Sequence, residues 1–538
     1  MAVHDWSGGT VPPLRREAHW GDRVVACFPD RPRSLFGLLQ HAVALNGAGE
    51  GLVVGELRLT WAEILERSGR AAGGLAARGV GPGDRVALLL GNRAEFVLAL
   101  FALARLGAVA VPLGIRQQTP EIAHALNDSG ARVLLCESDL LALVPAPESV
   151  PDLLHVVAVG RSTADGNGWA ALEAHEAAPE PAEVQEDDTA IILYTSGTTG
   201  RPKGAMLTGL GLVHSASVYV HCMELGPADR SIAAVPLSHV TGLVANALAM
   251  ARCGGTLVVI PGFKAADFLA MASRERVTHT VMVPAMYNLC LLQPDFARHD
   301  LSAWRVGGYG GAPMPVPTIE RLAEALPGLG LMNAYGATET SSPATLMPSR
   351  FTASHRDSVG LPVPGATVIA VDDDGREVPP GETGEIWIHG PAVVSGYWRN
   401  PEATRSGFTG GFWHSGDVGS IDRDGFVRVF DRKKDMINRG GYKVFTAEVE
   451  TVLASHEAVV ECAVVGVPCP VLGERVHAFV YRRAEVAAGD LQELCRRNLA
   501  DYKVPETVTF AQEPLPRNAN GKVLKRQLRE TIANETAA

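Results

Sequence analysis

The chain has 538 residues, which exceeds what one ordinary hydrophobic core supports and therefore predicts at least two domains. Its 46% hydrophobic and 20% charged residues are typical of a globular protein, and a formal net charge of −11 argues against binding to nucleic acid or to an anionic membrane. Eight cysteines are scattered without Cys-x-x-Cys pairs, which predicts reduced, mostly buried thiols, no zinc site and a cytoplasmic protein. The first residues lack a basic segment followed by an apolar run, so no signal peptide is expected.

The first part of the chain alternates helix and strand patterns. Thr60 precedes an amphipathic stretch and Glu63 stands three residues later, which predicts a helix that begins with a capping box. Farther on, residues 93–106 predict a helix and residues 108–112 a buried strand. Because Arg105 lies inside this most apolar region, the region is not expected to span a membrane. Helices that alternate with buried strands indicate a parallel, doubly wound sheet.

The later part of the chain differs from the first in composition and in its secondary-structure patterns. Residues 161–186 are rich in Ala, Glu, Gly and Pro and are expected to form a loop. From about residue 355, short strand patterns separated by Gly-rich turns predict a β-rich subdomain. We place a boundary between two domains, residues 1–432 and residues 433–538, and expect the second to be a small α/β unit with its own core.

Residues 194–204 carry the strongest chemical signal. They place hydroxyl side chains, three glycines and a lysine directly after an apolar strand pattern. Glycine lets the backbone approach a ligand closely, while hydroxyl groups, backbone N–H groups and an ammonium offer donors and positive charge to an anion. The loop is therefore predicted to hold the triphosphate of a nucleotide. The predicted phosphate-binding residues are Thr195, Ser196, Gly197, Thr198, Thr199 and Lys203.

The order of these residues is not that of a Walker A loop, because Pro202 precedes Lys203 and Gly204 follows it. It resembles instead the phosphate loop of the adenylate-forming superfamily, which includes acyl-CoA synthetases, adenylation domains of peptide synthetases and beetle luciferases. The alternative, an ordinary Gly/Thr/Ser surface loop, would rarely match at so many ordered positions. The resemblance runs from about residue 55 to about residue 526, with every main motif in the family's order.

A second motif, residues 333–340, resembles the family's (Asn/Asp)-x-Tyr-Gly-x-Thr-Glu box. Tyr335 offers an aromatic face to an adenine, Thr338 a donor to a phosphate, and Glu339 a hard oxygen ligand for phosphate-bound Mg²⁺. The resemblance also implies that Asn333 meets the adenine. Without the resemblance, Thr338 and Glu339 would be interpreted as the start of a helix, which is compatible with the functional role. The predicted nucleotide-binding residues of this box are Asn333, Ala334, Tyr335, Gly336 and Thr338.

Two further turns resemble nucleotide-binding motifs of the family. Residues 310–313 follow an apolar strand pattern and match the adenine-binding turn, whose small residues let a flat base lie on the backbone. Asp417 stands where the family carries an aspartate that accepts hydrogen bonds from both ribose hydroxyls. Without the other motifs, both stretches would be interpreted as ordinary turns. The residues predicted to bind adenine in the first turn are Gly311, Ala312 and Pro313.

Residues 431–437 resemble the family's hinge. The resemblance implies that Arg432 reaches the ribose or a phosphate and that the C-terminal domain turns about Lys434. Asp431 stands where glycine is usual, and we expect it to stiffen the hinge slightly. The alternative is a charged, solvated linker.

The C-terminal region carries further motifs of the family. Gly440 and Gly441 match a turn that builds the thiol tunnel after adenylation, and Glu448 matches a glutamate with a structural or thiol-site role. Lys522 matches a lysine that bridges the substrate carboxylate and the α-phosphate, where it offsets the charge that builds at the reaction centre. A lone lysine after Asn-Gly is more often a solvated turn residue, and its spacing from the other motifs favours the functional interpretation.

The acid-binding pocket is predicted from weaker signals. His239 lies in an apolar-Pro-x-x-His segment that borders the acyl pocket in the family, and the alternative is a core histidine. The resemblance places Thr241 where many long-chain and aryl-acid enzymes carry an aromatic residue. It places Tyr309, followed by Gly310, where Ser or Gly is common. These positions predict a short, partly polar pocket for a small, branched, hydroxylated or compact aromatic acid.

The resemblance implies an α/β fold: a large N-terminal domain of doubly wound mixed sheets, a β-rich subdomain, and a small, mobile C-terminal α+β domain. It implies an acyl-CoA synthetase that uses ATP, Mg²⁺ and coenzyme A. A carboxylate attacks the α-phosphate of ATP to give an acyl-adenylate and pyrophosphate, and a thiol then displaces AMP. Positioning and electrostatic stabilisation carry the catalysis, and a hinge motion separates the half-reactions. The predicted catalytic residues are Lys522, Glu339, Thr195 and His239.

The sequence motifs are compatible with more than one function. A stand-alone adenylation enzyme that loads a separate carrier protein fits the same motifs. Light production on oxygen has no support in the sequence. A nucleotide-sensing protein without turnover would not need Lys522, which adenylation requires and ATP binding does not. As partners we expect a small-molecule carboxylic acid, ATP and coenzyme A, with no nucleic acid and no membrane insertion, and a monomer or a homodimer.

Overall fold

The computed structural model describes residues 6, 11–160, 168–176, 178–195, 202–517 and 523–537. Contacts along the chain divide it into two units. The large unit contains Met1–Val368, Trp387–His414 and Arg423–Val427, and the small unit contains Ile369–Ile386, Ser415–Asp422 and Arg428–Ala538. The domain boundary at residues 432 and 433 stays a prediction.

The strands follow one another along the whole chain. In chain order they are β1 Arg15–His19, β2 Arg23–Cys27, β3 Glu50–Val54, β4 Leu57–Thr60, β5 Arg85–Leu89, β6 Val109–Leu113, β7 Val133–Glu137, β8 His155–Val159, β9 Thr189–Thr195, β10 Lys203–Thr208, β11 Arg230–Ala233, β12 Thr256–Val259, β13 His279–Met282, β14 Val306–Gly310, β15 Gly330–Ala337, β16 Ser342–Leu346, β17 Leu361–Pro362, β18 Thr367–Val371, β19 Gly384–His389, β20 Phe408–Thr409, β21 Phe412–Ile421, β22 Val427–Arg432, β23 Ile437–Arg439, β24 Tyr442–Val444, β25 Val459–Cys469, β26 Gly473–Arg482 and β27 Thr507–Ala511.

Helices separate many of these strands. In chain order they are α1 Leu35–Asn46, α2 Trp61–Ala76, α3 Ala94–Leu106, α4 Thr119–Ser129, α5 Trp169–Glu173, α6 Gly209–Cys222, α7 Ala249–Cys253, α8 Ala265–Arg274, α9 Pro284–Leu291, α10 Val316–Ala325, α11 Pro401–Gly407, α12 Thr446–Ala454, α13 Ala488–Asn498 and α14 Lys525–Ala537. A π-helix, Thr241–Leu248, runs directly into α7.

Two large sheets form the framework of the large unit. The first has the order β10-β9-β6-β5-β7-β8, and the second has the order β17-β16-β15-β14-β13-β11-β12-β3-β4. The inner strands run parallel, while β10 in the first sheet and β4, β16 and β17 in the second are antiparallel to their neighbours. The carboxyl ends of β11, β14 and β15 therefore meet at one edge of the second sheet, where open α/β sheets bind their ligands.

Local sequence explains the first helices. The Thr60 hydroxyl accepts a hydrogen bond from the backbone N–H of Glu63, and the Glu63 carboxylate accepts one from the backbone N–H of Thr60, so the predicted capping box is confirmed. The apolar region that follows is also as predicted: α3 is buried over most of its surface and ends at Gly107, in the left-handed conformation with φ 63°. Strand β6 comes next and is buried throughout. Within the described part of the chain, no helix is both long and apolar enough to cross a lipid bilayer.

The small unit has its own apolar core. The long hairpin β25–β26 lies in a sheet of order β24-β23-β26-β25, with β27 beside β26. Helices α12 and α13 contribute Val449, Leu453, Leu491 and Cys495 to this core.

Another five-stranded sheet has the order β18-β19-β21-β20, with β22 beside β21. It accounts for the strand patterns predicted from about residue 355 onwards.

One part of the predicted loop at residues 161–186 is helical. Residues 169–173 form the short helix α5, because Trp169 and Leu172 are buried against the core. Composition alone indicated a loop there, and burial of two apolar side chains favours a helical turn instead. Residues 161–167 and 177 lie outside the described residues.

Candidate functional site

The predicted phosphate loop is bracketed by a β-hairpin. Strand β9 ends at Thr195, strand β10 begins at Lys203, and these two residues are paired directly in the antiparallel ladder. The Thr195 hydroxyl donates to the Lys203 carbonyl at 3.4 Å. Both ends of the loop are thus held by the sheet. The predicted residues Ser196, Gly197, Thr198 and Thr199 lie outside the described residues.

The two predicted adenine motifs lie on neighbouring strands. Tyr309 pairs with Asn333 and Gly310 pairs with Ala334 in the parallel ladder of β14 and β15. The strands approach so closely that a Cβ at Gly310 would lie 2.2 Å from the Ala334 carbonyl oxygen. The turn after β14, formed by Gly311, Ala312 and Pro313, is exposed, and Gly311 has φ +77°. Tyr335, which the sequence assigns to the adenine, is half-buried on β15.

Thr338 and Glu339 lie on a tight turn between two strands. Strand β15 ends at Ala337, a single 3₁₀ turn covers residues 338–340, and β16 returns antiparallel to β15. The Thr340 hydroxyl accepts from the Ala337 N–H at 2.9 Å and so closes the turn. An α-helix capped by Thr338, the interpretation made without the family resemblance, is therefore wrong, because the helical turn is a single 3₁₀ turn capped by Ala337 and strand β16 begins at Ser342. Glu339 is only 8% exposed.

Tyr397 contacts two charged side chains, Glu339 and Lys203. The Tyr397 hydroxyl donates to Oε1 of Glu339 at 2.9 Å. The Lys203 ammonium lies 4.9 Å from the centroid of the same ring. A carboxylate, a phenol and an ammonium are thereby collected beside the ends of the phosphate loop.

The predicted acid-pocket histidine follows strand β11. The backbone N–H of Thr241 donates to Nδ1 of His239 at 3.4 Å, so the neutral ring carries its proton on Nε2. Burial lowers the pKa of His239, which keeps the imidazole neutral at neutral pH. Thr241 begins the π-helix, an element that is frequent at functional sites.

A buried amide fixes the segment that leads to His239. Asn92 donates to the carbonyls of Val235 at 3.0 Å and Ile260 at 3.1 Å, and accepts from the N–H of Leu237 at 2.8 Å. It follows strand β5 of the first sheet, whereas its partners follow β11 and β12 of the second sheet. One side chain thus joins the carboxyl ends of both sheets.

Tyr309 is packed into the core. Its side chain is 3% exposed and belongs to the apolar cluster that contains Val235, Met282 and Met314. Burial raises its pKa to about 12, so the phenol stays protonated. Its predicted part in the acid pocket stays a prediction.

In the small unit, the predicted ribose residues lie side by side. Nε of Arg432 forms an ion pair with Oδ1 of Asp417 at 2.7 Å, and Arg432 also donates to the Ser415 carbonyl at 3.1 Å. Asp417 is buried. A carboxylate and a guanidinium held together in this way offer acceptors and donors to a sugar phosphate.

The predicted hinge and thiol-loop residues also fall in the small unit. Lys434 is exposed between β22 and β23, while Asp431 is buried and accepts hydrogen bonds from the N–H and hydroxyl of Thr446, the first residue of α12. Gly440 and Gly441 form a turn with φ +60° and +90°, a conformation that favours glycine.

The glutamate that the sequence assigns to a structural or thiol-site role has a cationic partner in the small unit. Glu448 lies in the first turn of α12 and forms an ion pair with Lys503 at 2.6 Å. Lys522 lies outside the described residues, so its predicted role stays a prediction.

Comparison with known proteins decides the family. The family model for AMP-binding enzymes matches residues 39–398, and the model for the C-terminal domain of AMP-binding enzymes matches residues 448–522. The chain belongs to the AMP-binding enzyme family. The predicted resemblance to adenylate-forming enzymes is therefore confirmed.

Relatives of this AMP-binding enzyme are acyl-CoA synthetases. It is 38% identical over 491 residues to a feruloyl-CoA synthase of an Amycolatopsis species, covering 91% of this chain and 96% of the relative. It is 36% identical over 477 residues to the long-chain-fatty-acid–CoA ligase FadD13 of Mycobacterium tuberculosis, covering 88% and 93%. The chain is thus an AMP-forming acid–thiol ligase that works through an acyl-adenylate.

Solved structures agree with this class. The anthranilate CoA ligase AuaEII in complex with anthranoyl-AMP matches with a TM-score of 0.86 at 28% identity, over 95% of this chain and 99% of that one. The o-succinylbenzoate CoA synthetase MenE of Bacillus subtilis, bound to its acyl-adenylate, matches with a TM-score of 0.83 at 32% identity, over 91% and 97%. A further MenE structure holds ATP and a magnesium ion. The predicted α/β fold with a large N-terminal and a small C-terminal domain is confirmed.

Two residues of this AMP-binding enzyme were missed from the sequence. Tyr397 contacts Glu339 and Lys203, and Asn92 holds the segment before His239. Tyr397 stands in a Gly-Tyr-Trp stretch without strand or helix periodicity, and Asn92 in a Gly-Asn-Arg turn. A lone aromatic or amide in a turn gives no signal of a distant partner, so neither contact was predictable from pattern alone.

Proposed function

We propose that this enzyme is an ATP-dependent acid–CoA ligase for a small, branched, hydroxylated or compact aromatic acid. The observation that carries the proposal is the contact of Tyr397 with both Glu339 and Lys203, beside the ends of the phosphate loop. A buried carboxylate and a nearby ammonium are what a triphosphate with its cation requires. We expect the adenine to lie beside them, at the edge where β14 and β15 end.

The donor set fits Mg²⁺. Glu339 is a buried carboxylate and Thr338 a buried hydroxyl on the same turn, so both offer the hard oxygen ligands that this ion prefers. When bound, Mg²⁺ would neutralise charge on the phosphate oxygens. Lys203 would add a positive charge where the phosphate loop re-enters the sheet. In the small unit, Asp417 would accept from the ribose hydroxyls, with Arg432 beside it.

His239 would orient the acid. Its Nε2–H can donate to a substrate carboxylate, because Nδ1 already accepts from Thr241. A neutral imidazole holds a carboxylate in place without cancelling its charge, which leaves the oxygen nucleophilic toward the α-phosphate. We assign charge compensation at that phosphate to Lys522, and the turn of the small domain between half-reactions to Lys434.

The size of the acid is inferred from Tyr309. Tyr309 lies on strand β14, which leads into the adenine turn, and it pairs with Asn333 on the neighbouring strand β15. A tyrosine at this position would shorten the acid pocket, and a glycine or serine would lengthen it. Similarity to a feruloyl-CoA synthase and to an anthranilate CoA ligase supports a compact aromatic acid, whereas similarity to FadD13 supports a long chain.

Trapping of the adenylate with hydroxylamine tests this proposal. Purified enzyme with ATP and Mg²⁺ is given ferulate, anthranilate, o-succinylbenzoate or palmitate in turn, and the hydroxamate is measured. We expect hydroxamate from at least one aromatic acid at a rate well above that with palmitate. Hydroxamate from palmitate alone would overturn the inferred substrate class and leave adenylation intact. Loading of a carrier protein is the second candidate, favoured if adenylates form and CoA does not consume them.

A further inference from the structure

Tyr397 contacts two oppositely charged side chains with different parts of one ring. Its hydroxyl edge donates to Oε1 of Glu339 at 2.9 Å, and its face lies under the Lys203 ammonium, 4.9 Å from the centroid. The side chain is 7% exposed, and its hydroxyl is the donor because a carboxylate oxygen can only accept. The ring face attracts the ammonium electrostatically.

The backbone around Tyr397 joins the same two elements. The N–H of Val394 donates to the backbone carbonyl of Glu339 at 2.9 Å. Residues 396–398 form backbone hydrogen bonds of 3.1 and 2.7 Å with strand β10, which begins at Lys203. Any movement of this segment therefore shifts the turn that carries Glu339 and the strand that carries Lys203 together.

We propose that Tyr397 is a positioning residue: it sets the Glu339 carboxylate for a divalent cation and aligns it with Lys203 on the same nucleotide. This role rests on the proposed function, in which Glu339 holds Mg²⁺ and Lys203 meets the phosphates. A carboxylate oriented by an outer hydrogen bond binds a cation in one preset geometry, and loss of such a partner typically costs roughly 10- to 100-fold in metal affinity.

Two substitutions separate the two parts of this role. Tyr397→Phe removes the hydroxyl and keeps the ring under Lys203. We expect it to raise the Mg²⁺ concentration needed for half-maximal nucleotide binding by at least roughly tenfold, and high Mg²⁺ to restore binding. Tyr397→Leu also removes the ring face, so we expect it to weaken nucleotide binding even at saturating Mg²⁺.

The measurement is calorimetric titration of the full-length enzyme with α,β-methylene-ATP at graded Mg²⁺. It needs no acid substrate and reads binding rather than turnover. Tyr287→Phe is the matched control, because it removes a buried hydroxyl that donates to the Gly308 carbonyl at 2.8 Å, on strand β14. Thermal melting of each variant checks the fold. A double variant, Tyr397→Phe with Glu339→Gln, supplies a second test. Once the carboxylate is gone, adding the tyrosine change should leave the Mg²⁺ dependence of nucleotide binding equal to that of the Glu339→Gln single variant.

The outcomes are distinguishable. The proposal is overturned by an unchanged Mg²⁺ dependence in Tyr397→Phe, by a loss that high Mg²⁺ does not restore, or by an equal effect of Tyr287→Phe. A further Mg²⁺-dependent loss in the double variant would overturn it as well. Failure of the proposed function looks different: the wild-type enzyme itself would bind the analogue without regard to Mg²⁺, or would not bind it.

Discussion

The side-chain oxygen of Asn92 accepts a hydrogen bond from the backbone N–H of Leu237 at 2.8 Å, between residues 145 positions apart. The amide N–H of Asn92 donates to the carbonyl of Val235 at 3.0 Å. With 7% of its surface exposed, this asparagine uses its polar atoms on backbone groups that water does not reach. The segment before His239 is therefore fixed by a residue of the other sheet.

Asn92→Asp is expected to disturb acid binding more than nucleotide binding. The change keeps the shape but turns a donor toward Val235 into an acceptor, which leaves buried carbonyls unpaired and shifts His239. We expect the KM for the acid to rise by at least roughly tenfold, and the KM for ATP to stay within about twofold. Asn46→Asp is the control, since Asn46 donates to the Gly254 carbonyl at 2.9 Å, next to α7. Equal increases in both KM values would contradict the assignment.

Gly336→Ala is expected to abolish adenylation. A Cβ at this position would lie 1.8 Å from the Ser342 carbonyl oxygen, so the turn that carries Thr338 and Glu339 must move. Displacement of a catalytic group by about 1 Å can cost roughly 100-fold in rate, and we expect at least that loss in ATP–pyrophosphate exchange. Gly328→Ala is the control, because its Cβ would meet no atom within 4 Å. Exchange at the wild-type rate in Gly336→Ala would show that the turn is not part of the site.

Tyr309→Gly tests the predicted length of the acid pocket. Removing the ring should let longer acids bind, so the ratio of kcat/KM for a long acid to that for a short one should rise. Tyr309→Phe keeps the volume and is expected to leave the ratio unchanged. Because deletion of a buried aromatic ring costs about 3–5 kcal/mol of stability, melting curves accompany the assay. An unchanged preference in a folded Tyr309→Gly would remove Tyr309 from the pocket.

The buried histidines predict how stability depends on pH. Burial lowers the pKa values of His214 and His279 from 6.5 to about 4. Between these values the unfolded chain binds more protons than the native chain, so stability rises with pH through this window and is lost as the pH falls. The loss reaches about 1.4 kcal/mol per pH unit for each histidine. We expect His279→Gln to flatten this dependence in thermal melts, and an unchanged slope would contradict it.

Much of the secondary structure could be predicted from patterns of residues that are neighbours in the sequence. The capping box at Thr60, the buried run in β6 and the strand patterns after residue 355 depend on neighbours in sequence, and each was predictable. The nucleotide motifs could be recognised for the same reason, since their residues stand close together along the chain, and their roles stay predictions. Pairing of β14 with β15 then places two of these motifs side by side.

Contacts that depend on topology were not predictable. Tyr397 and Glu339 are 58 residues apart, and backbone hydrogen bonds from Val394 to Glu339 and between residues 396–398 and strand β10 bring them together. The turn at Thr338 shows the same limit in another form. Its sequence is compatible with the start of an α-helix. A 3₁₀ turn forms instead, because β15 and β16 pair as antiparallel strands on either side of it. Helix α5 was missed because composition does not reveal which side of a loop is buried.

We claim above all that this AMP-binding enzyme forms an acyl-adenylate from a carboxylic acid and ATP and then transfers the acyl group to the thiol of coenzyme A, with release of AMP. The most direct measurement is AMP release from ATP over a panel of short, hydroxylated, medium-chain and aromatic acids, each with and without CoA. We predict CoA-dependent AMP formation with one class of acid, the compact or hydroxylated one. Adenylate and pyrophosphate formation that CoA does not accelerate would contradict the claim and point to a carrier protein as the acceptor.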